Sequence, residues 1–373
     1  MDKLVFDRLK PHNSLPVLPP NKDIENNPQV LKKLVLATRA LATVNGNLNR
    51  LPNPLILVNT LALQEAKTST EIENIFTTED ELYKAISETK KATHANPAIK
   101  QVLKYREALW AGFQTLQNSQ SIDTVLIQRI FKQIKGTSTT YRPPQAQVVI
   151  KRGQSKFRSG EVVYTPPRQE GLIEKLMDNL VEYLNNDEKY TADPLLKMCI
   201  AHYQFEAIHP FQDGNGRTGR ILNLLYLFSK GLLSQPVLYM SKFIIANKED
   251  YYYKLGAVHQ RSAWEPWVEF MLEATEKTSL ITNDLINEIL NQMASTLEYG
   301  KEKIKWYNKE INEAIFSQPY IKPNTIGKLI GKTSRTTLTK YMNELVNNQI
   351  LSPKKDGTEV FYVNNDLLRI LER

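Results

Sequence analysis

A run of twelve residues near the middle of the chain carries the side-chain types that phosphate chemistry needs. Apolar helical patterns lie on both sides of it, so we predict a helix, a tight polar turn and a second helix that begins near Gly214. The N–H groups at such a helix start attract an anion, and Arg217 and Arg220 project from one side of its first turn. The segment is therefore predicted to hold a phosphate group, with His209 and Asp213 at its mouth.

Two other interpretations of this segment have to be weighed. The glycines at 214, 216 and 219 formally match the dinucleotide fingerprint G-x-G-x-x-G, but that fingerprint needs a preceding strand and an acidic residue about 20 positions further on. Here the preceding pattern is helical, and no acidic residue lies near Tyr239. A purely structural, solvated loop is the other alternative, but so many functional side-chain types seldom gather in one loop. We therefore favour the phosphate site.

The segment resembles the signature of the Fic family, H-x-F-x-[DE]-G-N-G-R-x-x-R, and it meets every fixed position. The matching residues are His209, Phe211, Asp213, Gly214, Asn215, Gly216, Arg217 and Arg220. The resemblance implies a mainly α fold with a Fic-type helical core, a small β-hairpin flap and a C-terminal winged helix-turn-helix. It also implies transfer of AMP from ATP to a hydroxyl group of a target protein.

The motif residues have chemistry suited to that reaction. His209 titrates near neutrality and is predicted to be the general base. Asp213 is a hard oxygen ligand suited to Mg²⁺ between the α- and β-phosphates, and Arg217 and Arg220 can grip phosphates. Phe211 is expected to turn into the core. The predicted ATP-binding set is Asp213, Gly214, Asn215, Gly216, Arg217, Thr218, Gly219, Arg220, Tyr251, Tyr252, Val162 and Val163, in which Asn215 adds a polar donor.

A tyrosine pair follows the second motif helix. Family members often place such a pair against the nucleotide, so Tyr251 and Tyr252 are candidates for the adenosine wall. Core aromatic residues on an amphipathic helix are the alternative, which the spacing does not exclude. His259, two turns further along, is a weaker candidate for the base pocket.

Six residues far upstream match a second pattern. Residues Ser69 to Asn74 fit the inhibitory motif [ST]-x-x-x-E-[GN] of many Fic proteins. Ser69 and Glu73 lie four residues apart on one helix face, and Asn74 suits a helix end because asparagine tolerates left-handed backbone. The resemblance implies that Glu73 pairs with Arg220 and so misorients ATP. The alternative is a plain helix start, with Ser69 as N-cap and Glu73 as a first-turn carboxylate.

Two short β-prone runs, 147–150 and 161–164, flank a polar basic segment and predict a hairpin. The resemblance implies a flap over the active site, where a segment of the target protein adds to it as a strand. An ordinary surface hairpin is the alternative.

Composition excludes several other kinds of protein. The chain has 373 residues, of which 41% are hydrophobic and 24% charged, as in a globular protein with two or three domains. No apolar run is long enough to span a membrane, and the N-terminus lacks the apolar core of a secretory signal. A single cysteine, Cys199, excludes an intramolecular disulfide and a thiolate zinc site, and we expect it to be buried. The net charge of +8 permits acidic partners. We therefore expect a cytoplasmic protein without a membrane partner.

Helical periodicity over most of the chain predicts three regions. We predict an N-terminal helical region over 1–110, with the inhibitory helix around 62–75, and a catalytic core over 111–297. The region 301–373 resembles the winged helix-turn-helix domains that many Fic proteins carry. DNA binding by this region and a protein-binding or dimerisation role are equal alternatives.

The leading functional prediction is an ATP- and Mg²⁺-dependent protein adenylyltransferase, held off by Glu73. It would modify a Ser, Thr or Tyr hydroxyl of an unnamed target protein that docks at the flap, with auto-AMPylation and a homodimer as further expectations. CTP, UTP or GTP could replace ATP, because the motif holds phosphates and not bases. Two alternatives stay open: removal of AMP from a modified target, with Glu73 positioning water, and a nucleotide-sensing transcriptional regulator.

Overall fold

The structure is a computed structural model that describes residues 6–21, 23–48, 54–87, 96–119, 121–152, 160–329, 331, 334–356 and 359–372. Its first eleven helices are α1 (Pro28–Leu48), α2 (Pro54–Ile72), α3 (Glu79–Ser87), α4 (Pro97–Ser119), α5 (Thr124–Lys135), α6 (Leu172–Asn185), α7 (Pro194–Ile208), α8 (Asn215–Ser229), α9 (Met240–Ala246), α10 (Lys248–Arg261) and α11 (Trp264–Lys303). An antiparallel hairpin of β1 (Ile150–Arg152) and β2 (Glu161–Tyr164) lies between α5 and α6. The predicted mainly α fold is confirmed.

Helix α7 forms the centre of the helical core. Proline at its first position suits a helix start, and Asp193 caps it by accepting a hydrogen bond from the N–H of Leu195 at 2.8 Å. Every residue of α7 after Pro194 is buried, as expected of a helix that is packed on all sides. Cys199 is buried as predicted, and its carbonyl accepts a hydrogen bond from the indole of Trp267. The turn that follows α7 is thus attached to a helix that is packed on all sides.

The differences from the predicted elements are local. Periodicity in the sequence predicts one helix over residues 303–316, and this prediction is wrong. Helix α11 ends at Lys303, and a new helix begins at Lys309, capped by Asn308. Helix α9 has no counterpart in the prediction, since seven residues are too few to show a clear period. The first flap strand covers Ile150–Arg152 instead of 147–150. Residues 153–159, the predicted tip of the flap, lie outside the described residues.

The C-terminal region contains α12 (Lys309–Ile315), β3 (Tyr320–Ile321), α13 (Pro323–Leu329), α14 (Arg335–Asn347), β4 (Ser352–Asp356), β5 (Glu359–Val363) and α15 (Asn365–Leu371). Its three strands form an antiparallel sheet in the order β3-β5-β4. The order of two helices and a hairpin agrees with the expected elements, whereas β3 is an addition. The turn residues of 353–357 predict the tip of a wing, but residues 353–356 belong to strand β4. The winged helix-turn-helix assignment stays a prediction.

The C-terminal sheet contacts the helix that follows the predicted inhibitory motif. Asp80 of α3 accepts hydrogen bonds from Lys354 of β4 and from the hydroxyl of Tyr320 of β3. The rings of Tyr83 and Tyr320 stack, with their centroids 5.9 Å apart. Helix α3 and the C-terminal sheet therefore pack together, although they lie about 240 to 274 residues apart in the chain. Within the described residues, no helix is both long enough and apolar enough to span a membrane.

The junction between α11 and the C-terminal region depends on a glycine. A Cβ atom on Gly300 would lie 2.4 Å from the ring of Tyr307, which is buried and donates a hydrogen bond to Asn312. We expect Gly300→Ala to lower the free energy of unfolding by about 1–3 kcal/mol, as overpacking does in a dense core. Urea denaturation monitored by circular dichroism measures this change.

Gly46 of α1 offers a matched control for Gly300→Ala. A Cβ atom at Gly46 would meet nothing within 4 Å. Gly46→Ala should leave stability unchanged or raise it by up to about 1 kcal/mol, because alanine favours a helix. Equal effects of the two substitutions would contradict the packing argument.

Candidate active site

The turn between α7 and α8 has the geometry that the motif predicts. Helix α7 ends at Ile208, and His209 follows with a left-handed φ of 50° while its N–H still donates to Phe205 at 3.0 Å. Gly214 has a φ of 82° and caps α8. Phe211 is fully buried and stacks on Phe131, as predicted for an inward anchor, with ring centroids 3.8 Å apart. The N–H groups at the start of α8 and His209 therefore lie on the same side of the turn.

Asn215 holds the turn together instead of facing a ligand. Its side-chain oxygen accepts a hydrogen bond from the N–H of Phe211 at 2.9 Å, and its amide donates to the carbonyl of Phe211 at 2.8 Å. Both polar ends of the side chain are used within the loop. The residue also lines the cavity described below, and a contact from its side chain to ATP stays a prediction.

A buried arginine fixes the left-handed backbone of His209. Arg142 donates from Nε to the carbonyl of His209 at 2.8 Å and from Nη2 to Pro167 at 2.7 Å, and its own N–H donates to Pro210 at 2.9 Å. These bonds satisfy carbonyl groups that the end of α7 leaves open. The sequence gives no signal for Arg142, because the partners of its side chain lie 25 to 67 residues away.

The imidazole of His209 is uncharged at neutral pH. Burial, assisted by the nearby Arg142 cation, lowers the pKa of His209 to about 4. The neutral form is the one that can accept a proton. Nearly all His209 side chains are neutral at pH 7, and the neutral fraction falls only as the pH approaches 4.

This electrostatic state can be tested by NMR. In the nucleotide-free protein, we expect the His209 ring resonance to keep its neutral-form shift from pH 8 down to pH 5.5, because the pKa is lowered to about 4. Loss of the signal in His209→Asn assigns it. A titration with a midpoint near the ordinary histidine value of about 6.5 would contradict the burial argument.

Glu73 lies directly in the anion-binding turn. The residue follows the last residue of α2, and its carboxylate is 2.6 Å from Nε of Arg217 and 3.2 Å from Nη2 of Arg220. It also accepts the backbone N–H of Arg217 at 3.1 Å. The predicted partner was Arg220 alone, whereas the structure pairs Glu73 with both motif arginines. The carboxylate therefore contacts the turn that the sequence predicts to hold a phosphate group.

The rest of the upstream motif supports this contact. Ser69 accepts a hydrogen bond from Nε of Arg220 at 2.7 Å, and its carbonyl accepts another from Nη2 at 2.8 Å. Ser69 lies inside α2, so the alternative in which it caps a helix start is wrong. Asn74 has a left-handed φ of 63°, as predicted, and accepts a hydrogen bond from Lys248 at 3.3 Å.

The turn opens into a cavity of about 430 Å³, a size common for small-molecule sites. His209, Asp213, the residues of 214–217 and Arg220 line it, together with Glu73. Tyr251 and Tyr252 line it too, and Tyr251 bonds through its hydroxyl to His202 at 2.9 Å. The cavity thus joins an anion-binding end to an aromatic wall.

Four predicted ATP-binding residues do not line this cavity. The flap contributes Ile150, whereas Val162 and Val163 are half-buried elsewhere. Thr218 donates from its hydroxyl to the carbonyl of Gly214 at 2.9 Å, and Gly219 packs against α7. The hairpin register accounts for the flap residue, because Ile150 pairs with Tyr164 whereas Val162 pairs with Lys151, with a register shift between them. His259 lies instead in an aromatic cluster, with its ring 4.4 Å from Tyr164.

Asp213 is the residue best suited to a metal ion. Its side chain is 64% exposed, forms an ion pair with Lys135, and accepts the N–H of Gly214 at 2.7 Å. The described residues contain no group of three or more His, Cys, Asp or Glu that could hold a metal by themselves. One exposed carboxylate fits Mg²⁺, which proteins often hold through one or two carboxylates and the substrate's phosphates.

Sequence reasoning missed several residues of this cavity. Lys135 ends α5 beside Asp213, and Gln101 of α4 accepts a hydrogen bond from Arg217 at 2.8 Å. Glu206 of α7 also lines the cavity. A signal existed only for Glu206, a charged residue within the apolar pattern that precedes the motif.

Models of protein families match most of the chain. The N-terminal model of the Fic/DOC family matches residues 31–114, and the Fic/DOC family model matches residues 114–227. These two matches are contiguous and together cover more than half of the chain. A third model, the C-terminal domain of SoFic-like protein adenylyltransferases, matches residues 289–367.

Curated relatives agree with these matches. Protein adenylyltransferase fic-1 of Caenorhabditis elegans is 29% identical over 152 residues, which cover 41% of this chain and 28% of the relative. Protein adenylyltransferase Fic of Drosophila willistoni is 28% identical over 191 residues, which cover 49% of this chain and 36% of the relative. The chain therefore spans about a third of the length of these relatives.

Solved structures share the fold. A Fic family protein from Desulfovibrio desulfuricans superposes with a TM-score of 0.57 and 22% identity, over 93% of this chain and 98% of that one. A Fic domain containing signaling protein from Bacteroides thetaiotaomicron gives a TM-score of 0.50 and 16% identity, over 69% and 97% of the two chains.

Proposed function

The chain belongs to the Fic/DOC family, and we propose that it is a protein adenylyltransferase that transfers AMP from ATP to a hydroxyl side chain of a target protein. One observation carries this proposal. A neutral imidazole, two guanidinium groups and the N-terminus of α8 line a single cavity that ends in an aromatic wall. Such a set can hold a triphosphate at one end, hold a nucleoside at the other and remove a proton between them.

The proposed reaction is a displacement at the α-phosphorus. The target hydroxyl oxygen forms a bond to that phosphorus, the bond to the bridging oxygen of the β-phosphate breaks, and pyrophosphate leaves. His209 takes the proton of the hydroxyl, for which its uncharged state suits it. Arg142 is proposed as the positioning residue that keeps the ring in place through the His209 carbonyl.

The phosphates are proposed to bind at the start of α8. Its N–H groups lie where a phosphate oxygen can approach. Glycine at position 216 keeps this space open, because a Cβ atom there would be 2.9 Å from Arg220 and 3.1 Å from Glu73. Arg217 and Arg220 neutralise negative charge that grows on the leaving group. Asp213 would hold Mg²⁺, which supplies further charge neutralisation on the phosphates. Lys135, now paired with Asp213, would then be available to a phosphate.

Autoinhibition by Glu73 forms part of this proposal. At the start of α8, its carboxylate has three contacts, two with Arg217 and one with Arg220. It would compete there with a phosphate group. Arg220 is further tied to the same segment through Ser69. A triphosphate can therefore bind in the orientation needed for transfer only when Glu73 moves away from Arg217 and Arg220.

The partners are proposals as well. We propose that the target protein binds at the β1–β2 hairpin as an added strand, and that the chain also modifies itself. The divisions 1–110, 111–297 and 301–373 are proposed as functional regions. A homodimer, DNA binding by the C-terminal region and a cytoplasmic location are further expectations, each open to direct measurement.

The test of the proposed function is transfer of label by the Glu73→Gly variant. With Mg²⁺ and ATP labelled at the α-phosphate, protein should become radioactive, whereas ATP labelled at the γ-phosphate should leave it unlabelled and yield labelled pyrophosphate. Repeating the reaction with CTP, UTP and GTP defines the donor. Release of AMP from a previously modified protein, with no transfer from any nucleotide, would favour the AMP-removing alternative. Salt-sensitive binding to duplex DNA without any nucleotidyl transfer would favour a transcriptional regulator.

A further inference from the structure

The guanidinium group of Arg217 is held by two separate parts of the chain. Its Nε is 2.6 Å from the carboxylate of Glu73, and its Nη1 donates a hydrogen bond to the side-chain oxygen of Gln101 at 2.8 Å. Arg217 is 1% exposed, and Gln101 lines the same cavity. Asp213 does not hold the group, because its ion pair is with Lys135. Within the part of the chain that the structure describes, removal of Glu73 leaves Gln101 as the side chain bonded to Arg217.

The contact between Gln101 and Arg217 depends on the packing of two core helices. Gln101 lies on α4 and Arg217 in the first turn of α8. These helices pack closely, since a Cβ atom on Gly112 of α4 would come within 2.5 Å of the Leu225 side chain of α8. The contact with Glu73 depends instead on the segment that follows α2. The hydrogen bond from Arg217 to Gln101 therefore does not require Glu73 to stay in place.

The two partners of Arg217 differ in charge. The carboxylate of Glu73 offsets the charge of the guanidinium group and would repel a phosphate. The amide oxygen of Gln101 is neutral and accepts one of the N–H donors of the guanidinium group, so the positive charge and the other donors stay available to a phosphate. An arginine side chain loses much rotamer freedom when it is fixed, and a bond that fixes it before the reaction lowers the barrier.

We propose that Gln101 is a positioning residue for AMP transfer, which keeps the guanidinium group of Arg217 directed into the cavity after Glu73 has moved away. The inference rests on the proposed function, in which Arg217 neutralises the charge that grows on the leaving pyrophosphate. Gln101 acts through Arg217 and not on the nucleotide itself. Its loss therefore lowers the rate of the transfer step more than the affinity for ATP.

The first test measures the mobility of Arg217 by NMR in the nucleotide-free full chain with ¹⁵N-labelled arginine. The readout is the heteronuclear NOE of its Nε–H group, assigned by loss of the signal in Arg217→Lys. In the Glu73→Gly protein, Gln101→Met removes the acceptor and should lower this NOE to that of exposed arginines. Gln101→Glu keeps an acceptor oxygen and should retain it. With Glu73 present, Gln101→Met should leave the NOE unchanged, because Glu73 still holds Arg217.

The second test measures transfer from α-labelled ATP in the Glu73→Gly protein. We expect Gln101→Met to lower kcat about 10- to 100-fold, as loss of a hydrogen bond to a charged group does. The dissociation constant for ATP, from titration calorimetry, should change by less than about threefold. Gln114→Met is the matched control, because Gln114 is exposed on the same helix and does not line the cavity. It should change kcat by less than about twofold.

Three results would overturn the inference. They are an Arg217 NOE that Gln101→Met leaves unchanged in the Glu73→Gly protein, an equal fall of that NOE with Glu73 present, and a kcat within about twofold of the parent. If Gln101→Met fails to fold, Gln101→Ala takes its place with the same expected results. A Glu73→Gly parent that transfers no AMP would instead overturn the proposed function, and the NMR comparison would still decide whether Gln101 holds Arg217.

Discussion

Glu73→Gly should raise the initial rate of AMP transfer about 10- to 100-fold, measured as incorporation of α-labelled phosphate into protein. The carboxylate lies 2.6 Å from Arg217 and 3.2 Å from Arg220 in the place proposed for a phosphate. A charge-assisted hydrogen bond contributes about 1.5–3 kcal/mol, and 1.4 kcal/mol corresponds to a factor of ten. Removing one such competing interaction accounts for the expected range.

A glycine in this segment also loosens the end of α2, so the experiment needs a control for that effect. Glu71→Gly provides it, because Glu71 lies two residues away on α2 and pairs with Lys67 at 3.2 Å, outside the cavity. We expect this control to change the transfer rate by less than about twofold when rates are normalised to folded protein, because Glu71 does not line the cavity. Equal activation by both glycine variants would locate inhibition in the order of the helix and not in the Glu73 carboxylate.

Nucleotide binding separates two forms of inhibition. If Glu73 only misorients the triphosphate, Glu73→Gly should bind ATP with nearly unchanged affinity and transfer it faster. If Glu73 excludes the phosphate, the dissociation constant should fall together with the gain in rate. Calorimetry on the two proteins distinguishes these cases, and an unchanged transfer rate would remove autoinhibition altogether.

His209→Asn in the Glu73→Gly background should lower AMP transfer about 10²- to 10⁴-fold, the usual contribution of a positioned general base. Asparagine is preferred to alanine here because His209 has a left-handed φ of 50°, which asparagine tolerates. The dissociation constant for ATP should change by less than about threefold, since the imidazole acts on the target hydroxyl. Retention of full transfer activity would refute the base assignment.

A second histidine serves as the control for this loss. His12 contacts Tyr164 and the ring of His259 and does not line the cavity. We expect His12→Gln to retain transfer within about threefold when rates are normalised to folded protein. A comparable loss in both variants would show that disturbed packing and not a missing base lowers the activity.

The sequence determined those features whose causes are local. The turn from His209 to Arg220 follows from neighbouring signals, namely helical periodicity on both sides, Pro194 at a helix start and a glycine at the cap of α8. The left-handed Asn74 follows from residue type in the same way. Local rules give these elements because each depends on contacts within a few residues.

Only the tertiary structure decided which distant groups enter the cavity. Glu73 contacts Arg217 as well as Arg220 because α2 crosses the start of α8, 144 residues further along the chain. The same packing of distant helices and loops brings Lys135, Arg142 and Gln101 to the site. The pattern of a sequence does not state which helices cross or at what angle, since that depends on side-chain packing over the whole core.

The same limit applies to side-chain direction. Asn215 has two polar ends, and the fold directs both to the backbone of Phe211. Ile150 and not Val162 or Val163 faces the cavity, because strand register decides which side chains share a face. Residue types were thus sufficient to predict the reaction. Long-range packing decided which side chains face the cavity, because only the assembled core excludes water and fixes the directions of those side chains.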